Sequence, residues 1–148
     1  MYYDINMKQI TTTSEKQTFA FAKKFAQSLK GGEVIGLIGE LGAGKTVFTK
    51  GLANGLGVKG VVNSPTFVLM KIYKIKSLNL KVKNLCHIDV YRVKDIKEMA
   101  SIGVEEYFNR SDTVTVIEWA DKIKKILPKR AKYVKFINKG GNRRLIIF

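Results

Sequence analysis

At 148 residues the chain has room for one domain with a sizeable core and little else, so a single domain over 1–148 is expected, with no separate substrate domain. Hydrophobic content of 45% with 26% charged residues excludes a disordered chain, and no apolar run is long enough to cross a bilayer; a soluble protein without a membrane partner is expected. The formal charge of +15 favours association with polyanions, although a lysine-rich solvated surface accounts for it equally well.

The segment Met1 to Lys8 is mixed and polar and lacks the apolar stretch of a secretory signal. Cys86 is the only cysteine and cannot make an intramolecular disulfide, which suits a reducing cytosol and a cytoplasmic location.

The first predicted helix covers residues 14–30. Ser14 is its cap, Gln17 completes a capping box and Gly31-Gly32 ends it. Phe19, Ala22, Ala26 and Leu29 recur at helical spacing, with Phe21 and Phe25 widening the stripe, so these aromatics read as core. Glu33 to Ile38 reads as a strand covered on both faces, because it shows little alternation.

Straight after it comes Gly39-Glu-Leu-Gly-Ala-Gly-Lys-Thr46, the G-x-x-x-x-G-K-T pattern of a phosphate-binding P-loop. A strand feeding a glycine-rich turn that opens a helix aims several backbone N–H groups and the helix dipole at one anion. The expected ligand is a nucleoside triphosphate held by Glu40, Leu41, Gly42, Ala43, Gly44, Lys45, Thr46 and Val47. Lys45 reaches the outer phosphates and the Thr46 hydroxyl holds Mg²⁺. The Glu40 side chain should point away from that negative charge.

The next helix starts near Lys45, carries Val47, Phe48, Leu52 and Leu56, is weakened at Gly51 and Gly55, and ends at Gly57. A strand is expected between Val61 and Tyr73, entered through Pro65, and residues 74–83 read as a hairpin or loop. Asn84 to Val90 is a short strand, residues 94–109 are helical with a break at Gly103, and Thr113 to Ile117 is a strand delivering Glu118. A short helix over 121–127 stops at Pro128, and strands over 133–137 and 145–148 flank the turn Asn-Lys-Gly-Gly-Asn. The alternation predicts an α/β, P-loop NTPase-like three-layer sandwich with a mostly parallel central sheet and antiparallel edge hairpins.

Hydrolysis at a P-loop needs an acid at a neighbouring strand end and a group that positions water. Asp89 and Glu118 both end apolar strands, whereas Asp95, Glu98, Glu105 and Glu106 lie on a helical, solvated stretch. His87 and Asp89 share a strand face, yet one His beside one Cys lacks the ligand count for zinc, so His87 reads as a hydrogen-bonded core histidine. Trp119 is either a core anchor or a wall of the nucleotide pocket.

Four motifs in order, Gly39 to Thr46, Ser64-Pro-Thr-Phe67, His87-Ile-Asp-Val-Tyr-Arg92 and Ile117-Glu-Trp119, resemble the bacterial TsaE (YjeE) ATPases of tRNA threonylcarbamoyladenosine modification. The resemblance covers nearly the whole chain. It implies a small ATPase using ATP and Mg²⁺, weak alone, that works with the TsaD and TsaB proteins and meets tRNA through that complex. By the same resemblance Lys45 holds phosphate, Thr46 and Glu118 bind Mg²⁺, and Asp89 orients water or acts as base. Ser64 and Thr66 belong to a switch-like loop, Trp119 to the nucleotide pocket, and Arg143 to a basic pocket residue near the C-terminus. Two departures are Glu40, where the family often has Asp, and Ala120, where it often has Pro.

Two other classes compete. A small-molecule P-loop kinase needs an arginine-bearing lid, for which no insertion is visible. A nucleic-acid-binding module with a vestigial P-loop rests on charge alone. The sequence does not set the oligomeric state.

Overall fold

Two segments, Val34–Ile38 and Thr113–Glu118, are buried along almost their whole length and lie side by side in the middle of the sheet. The structure, a computed structural model, describes residues 6–65, 68–77 and 81–148. Its elements in chain order are β1 (Gln9–Thr12), α1 (Glu15–Ala26), β2 (Val34–Ile38), α2 (Lys45–Leu56), β3 (Met70–Lys74), β4 (Asn84–Asp89), α3 (Lys97–Ser101), α4 (Val104–Phe108), β5 (Thr113–Glu118), a 3₁₀ helix (Ala120–Ile126), β6 (Lys132–Asn138) and β7 (Arg144–Ile147).

Among the described residues the strands form one seven-stranded sheet in the order β1-β7-β6-β2-β5-β4-β3. The inner four, β6, β2, β5 and β4, are parallel, and β1, β7 and β3 add on antiparallel at the two sides. The expected layered α/β architecture with antiparallel edges is therefore present. Helices α1 and α2 cover one face, where Phe48, Leu52 and Leu56 pack with Ile35, Leu37, Val116 and Phe136. Helices α3 and α4 and the 3₁₀ helix cover the other, where Met99, Phe108 and Ile123 pack with Val34, Ile88 and Ile117. Phe21 and Phe25 join the first cluster, with Phe25 and Phe48 ring centroids 5.7 Å apart, as expected for core aromatics.

Parallel pairing aligns the strand ends on which the site depends. Leu37 of β2 stands opposite Glu118 of β5, and Asp89 of β4 stands opposite Glu118 from the other side. Both acids thus leave the sheet beside the loop that follows β2, at the carboxyl ends of parallel strands.

Some elements differ from expectation. Helix α1 ends at Ala26, because the N–H groups of Gln27, Ser28 and Leu29 turn to carbonyls three residues back and tighten the last turn. Ser14 does cap α1, accepting from Gln17 N–H at 3.1 Å, but the Gln17 side chain returns to Thr13 N–H at 2.8 Å, one residue earlier than a capping box. The strand expected between Val61 and Tyr73 begins only at Met70, and residues 66 and 67 lie outside the described residues. Strand β1 has no counterpart in the prediction, since four residues at an exposed edge carry little pattern. Residues 120–126 coil as 3₁₀, entered from Trp119 at φ +63° and kinked at Ile123. No helix among the described residues is long and apolar enough to cross a membrane.

Candidate functional site

The loop between β2 and α2 is shaped by its glycines. Gly42 and Gly44 hold φ of +75° and +104°, in the left-handed region that side chains avoid. At Gly39 a Cβ would stand 2.9 Å from the Phe136 carbonyl oxygen, so only glycine lets β6 approach. The turn is closed by Ala43 N–H donating to Glu40 O at 3.1 Å, and α2 starts at once with Lys45.

Lys45 is 4% exposed, and its Nζ donates to Gly39 O at 2.5 Å and Glu40 O at 2.7 Å. The same ammonium lies 4.0 Å from the centroid of the Trp119 ring. Burial lowers the Lys45 pKa from the ordinary lysine value, partly opposed by the negative charges of Glu118 and Asp89. Thr46 Oγ1 donates to Glu118 Oε2 at 3.0 Å. Glu118, itself buried, meets His87 Nε2 at 2.9 Å through its other oxygen.

Asp89 is held on both carboxylate oxygens: Tyr91 N–H donates to Oδ1 at 2.9 Å and the Ser64 hydroxyl donates to Oδ2. These groups surround a cleft of about 350 Å³ lined by residues 41–47 together with Ser64, Asp89, Glu118 and Trp119. Lys45, Thr46, Asp89, Glu118, Ser64 and Trp119, picked out separately in the sequence, come together there.

Other residues fall elsewhere. Glu40 is exposed and borders a neighbouring groove with Asp121 and Lys135, its backbone carbonyl alone facing Lys45. Arg143 sits exposed in the β6–β7 turn, outside the cleft lining, while its neighbour Arg144 donates to Gly42 O at 3.2 Å. Thr66 lies outside the described residues. Glu15, at the start of α1, and Tyr91 also line the cleft. Tyr91 stands within the His87 to Arg92 motif and stacks at 4.9 Å on Trp119, but its place was readable only as an adjacency to Asp89. Glu15 left no signal, because it reaches the cleft through the packing of α1 on α2.

The model of the threonylcarbamoyl adenosine biosynthesis protein TsaE family matches residues 12–146. The chain belongs to the TsaE family. It is 42% identical over 144 residues to the tRNA threonylcarbamoyladenosine biosynthesis protein TsaE of Bacillus subtilis, covering 96% of this chain and 86% of that one. To the protein of the same name from Haemophilus influenzae it is 40% identical over 113 residues, covering 73% and 68%. The crystal structure of Bacillus subtilis YdiB superposes with a TM-score of 0.79 at 34% identity over 99% of this chain and 87% of that one.

Three of the four motifs that suggested TsaE meet at the cleft: the glycine loop, the Asp89 segment and the Glu118-Trp119 strand end; Ser64 brings in the described part of the fourth. The donors on the Thr46 side are a hydroxyl and a carboxylate, an all-oxygen set of the kind a hard cation such as Mg²⁺ takes. The Thr46 proton points at Glu118, which leaves the hydroxyl lone pairs free to face the cleft. These oxygen donors fit a hard cation such as Mg²⁺.

Proposed function

We propose that this chain binds Mg²⁺–ATP in the cleft and hydrolyses it as a switch for a threonylcarbamoyl-transfer complex of the TsaD and TsaB proteins, acting on tRNA in the cytoplasm. The observation that carries the reading is the convergence of Lys45 and Thr46 at the start of α2 with Asp89 and Glu118 at two adjacent strand ends. The family relationship and the names of the relatives supply the biological setting.

In this reading the loop N–H groups and Lys45 hold the phosphates. Lys45 exchanges its two carbonyl partners for phosphate oxygens, a gain because its charge is poorly hydrated where it stands. Thr46 and Glu118 would hold Mg²⁺, which would supply neutralisation of the phosphate charge. Asp89, oriented by Ser64 and the Tyr91 N–H, accepts from a water and lines it up on the γ-phosphate. The Ser64–Asp89 hydrogen bond ties the Ser64 loop to the hydrolytic acid, so loss of the γ-phosphate can be passed to the loop and read by a partner.

The test is phosphate release by the isolated chain and with TsaD and TsaB added. Slow turnover alone that rises with the two proteins is expected. Release that answers instead to a nucleoside or sugar acceptor would identify the cleft as that of a small-molecule kinase.

A further inference from the structure

Glu118 is hydrogen-bonded by a side chain that does not line the cleft. His87 is the chain's only histidine and is fully buried on β4. Its parallel register puts it opposite Val116, so Glu118, two residues on, is its diagonal neighbour on the same face of the sheet. Nε2 lies 2.9 Å from Glu118 Oε1, and Nδ1 has no hydrogen-bond partner among the described residues. A carboxylate oxygen only accepts, so Nε2 carries the proton and donates it.

Competing donors on Oε1 are weak. Thr49 Oγ1 is 3.4 Å away, but its single proton has a better acceptor in Lys45 O at 3.0 Å. His87 is therefore the principal donor to Oε1, while Thr46 occupies Oε2. We infer that His87 is a positioning residue of this cleft: its Nε2–H fixes the Glu118 carboxylate so that Oε2 is presented to Thr46 and the metal side of the site. The inference rests on the Mg²⁺–ATP reading of the same cleft and adds to it the residue that orients one of its two protein ligands. Outer partners that orient a ligating carboxylate commonly control metal affinity about 10- to 100-fold.

The test compares two amides that differ in reach by one bond. In H87Q the side-chain nitrogen is as many bonds from Cβ as imidazole Nε2; in H87N it falls one bond short. Binding of a fluorescent ATP analogue is measured with Mg²⁺ and with EDTA, and Mn²⁺ binding to the nucleotide complex is followed by electron paramagnetic resonance. H87N is expected to weaken the Mg²⁺-dependent tightening and Mn²⁺ affinity about tenfold or more, with binding in EDTA changed less than about twofold; H87Q is expected to recover most of the loss. Equal Mg²⁺ dependence in wild type and H87N, or equal loss in both variants, overturns the inference and leaves the Mg²⁺–ATP reading standing. A wild-type chain whose nucleotide binding ignores Mg²⁺ overturns both. Independently of any variant, ¹H–¹⁵N spectra of the single histidine in the wild-type chain should show the proton on Nε2; a proton on Nδ1 with Nε2 bare overturns the inference.

Discussion

Lys45 and Trp119 meet with the ammonium 4.0 Å from the indole centroid, although they come from opposite ends of the cleft's construction, one from the start of α2 and one from the residue after β5. The tryptophan takes up φ +63° to do so. The ammonium is thus screened from water by an aromatic face and two carbonyls.

Replacing Lys45 by Met should cost the ligand-free fold little while greatly weakening phosphate binding. Burial lowers the Lys45 pKa, so the folded state disfavours the charged form relative to the unfolded chain. That penalty is present in full below the folded-state value, begins to shrink as pH rises through it, and is gone only above the ordinary lysine value. Thermal unfolding should accordingly show K45M gaining most relative to wild type near neutral pH and less in the alkaline range. Nucleotide affinity should fall about 100-fold or more near neutral pH, where Lys45 is charged, by fluorescence titration. A large drop in melting temperature at neutral pH would contradict this account of Lys45.

The close approach of α1 to α2 supplies a second prediction. A Cβ at Gly51 would stand 2.8 Å from Ala22 Cβ, and one at Gly55 2.7 Å from Ala26 Cβ, with the Phe19 and Lys23 carbonyl oxygens nearer still. Glycine in mid-helix ordinarily costs about 1 kcal/mol against alanine. Here overpacking reverses the sign, and Gly51→Ala and Gly55→Ala should each destabilise by about 1–3 kcal/mol in urea unfolding. A rise in the unfolding midpoint would mean that the helices separate without cost.

These glycines mark where the sequence was hardest to read. Taken along one helix, Gly51 and Gly55 are only breakers; their use lies in α1, far back in the chain. The parallel strands were legible because β2, β4 and β5 are buried along almost their whole length and are rich in apolar and β-branched residues. The acids at their ends were legible because a strand end is a position in sequence as well as in space. Glu15 reaches the cleft only through helix packing, and Arg144 reaches Gly42 only because β7 folds back on β6. No local pattern encodes either contact. The side-chain partner of His87 was equally hidden, since the diagonal to Glu118, 31 residues on, depends on the register between two strands.

Asp89 and Glu118 should separate by step. Asp89→Asn still accepts from the Tyr91 N–H through its carbonyl oxygen, and its NH2 can donate to the Ser64 hydroxyl where the carboxylate accepted from it, but the charge that draws a proton from water is gone, so turnover should fall about 100-fold with nucleotide affinity nearly unchanged. Glu118→Gln should reduce turnover and also raise the Mg²⁺ concentration needed for half-maximal rate. Single-turnover phosphate release over a Mg²⁺ series distinguishes the two. Normal hydrolysis by both variants would remove these acids from the site.

Cys86 should be silent toward thiol reagents in the folded protein. It is fully buried on β4, and burial pushes its pKa up to about 12, so at neutral pH the reactive thiolate is scarce as well as inaccessible. Alkylation by iodoacetamide should be negligible natively and complete in denaturant, making the single thiol a clean reporter of unfolding. Fast labelling of the native chain would show that β4 opens far more often than a central strand should.

The remaining positive charge leads to the last prediction. After Glu118 the only acid is Asp121, whereas Lys122, Lys124, Lys125, Lys129, Arg130, Lys132 and Lys135 are all exposed. The Lys124 ammonium lies 5.0 Å from the Tyr133 ring centroid, which brings the 3₁₀ helix and β6 together along one basic shoulder. With aromatics there confined to half-buried Tyr133, buried Phe136 and the cleft residue Trp119, attraction to RNA must come from phosphate rather than base stacking. Binding of tRNA by the chain alone should therefore be weak and indifferent to sequence. If about five phosphates are neutralised, affinity should fall about 10²- to 10³-fold between about 50 and 200 mM salt. Charge reversal at Lys124, Lys125 and Lys135 should flatten that slope without touching ATP binding. Tight, salt-resistant binding would mean that the chain reads RNA itself, against the proposal that it meets tRNA only through a partner complex.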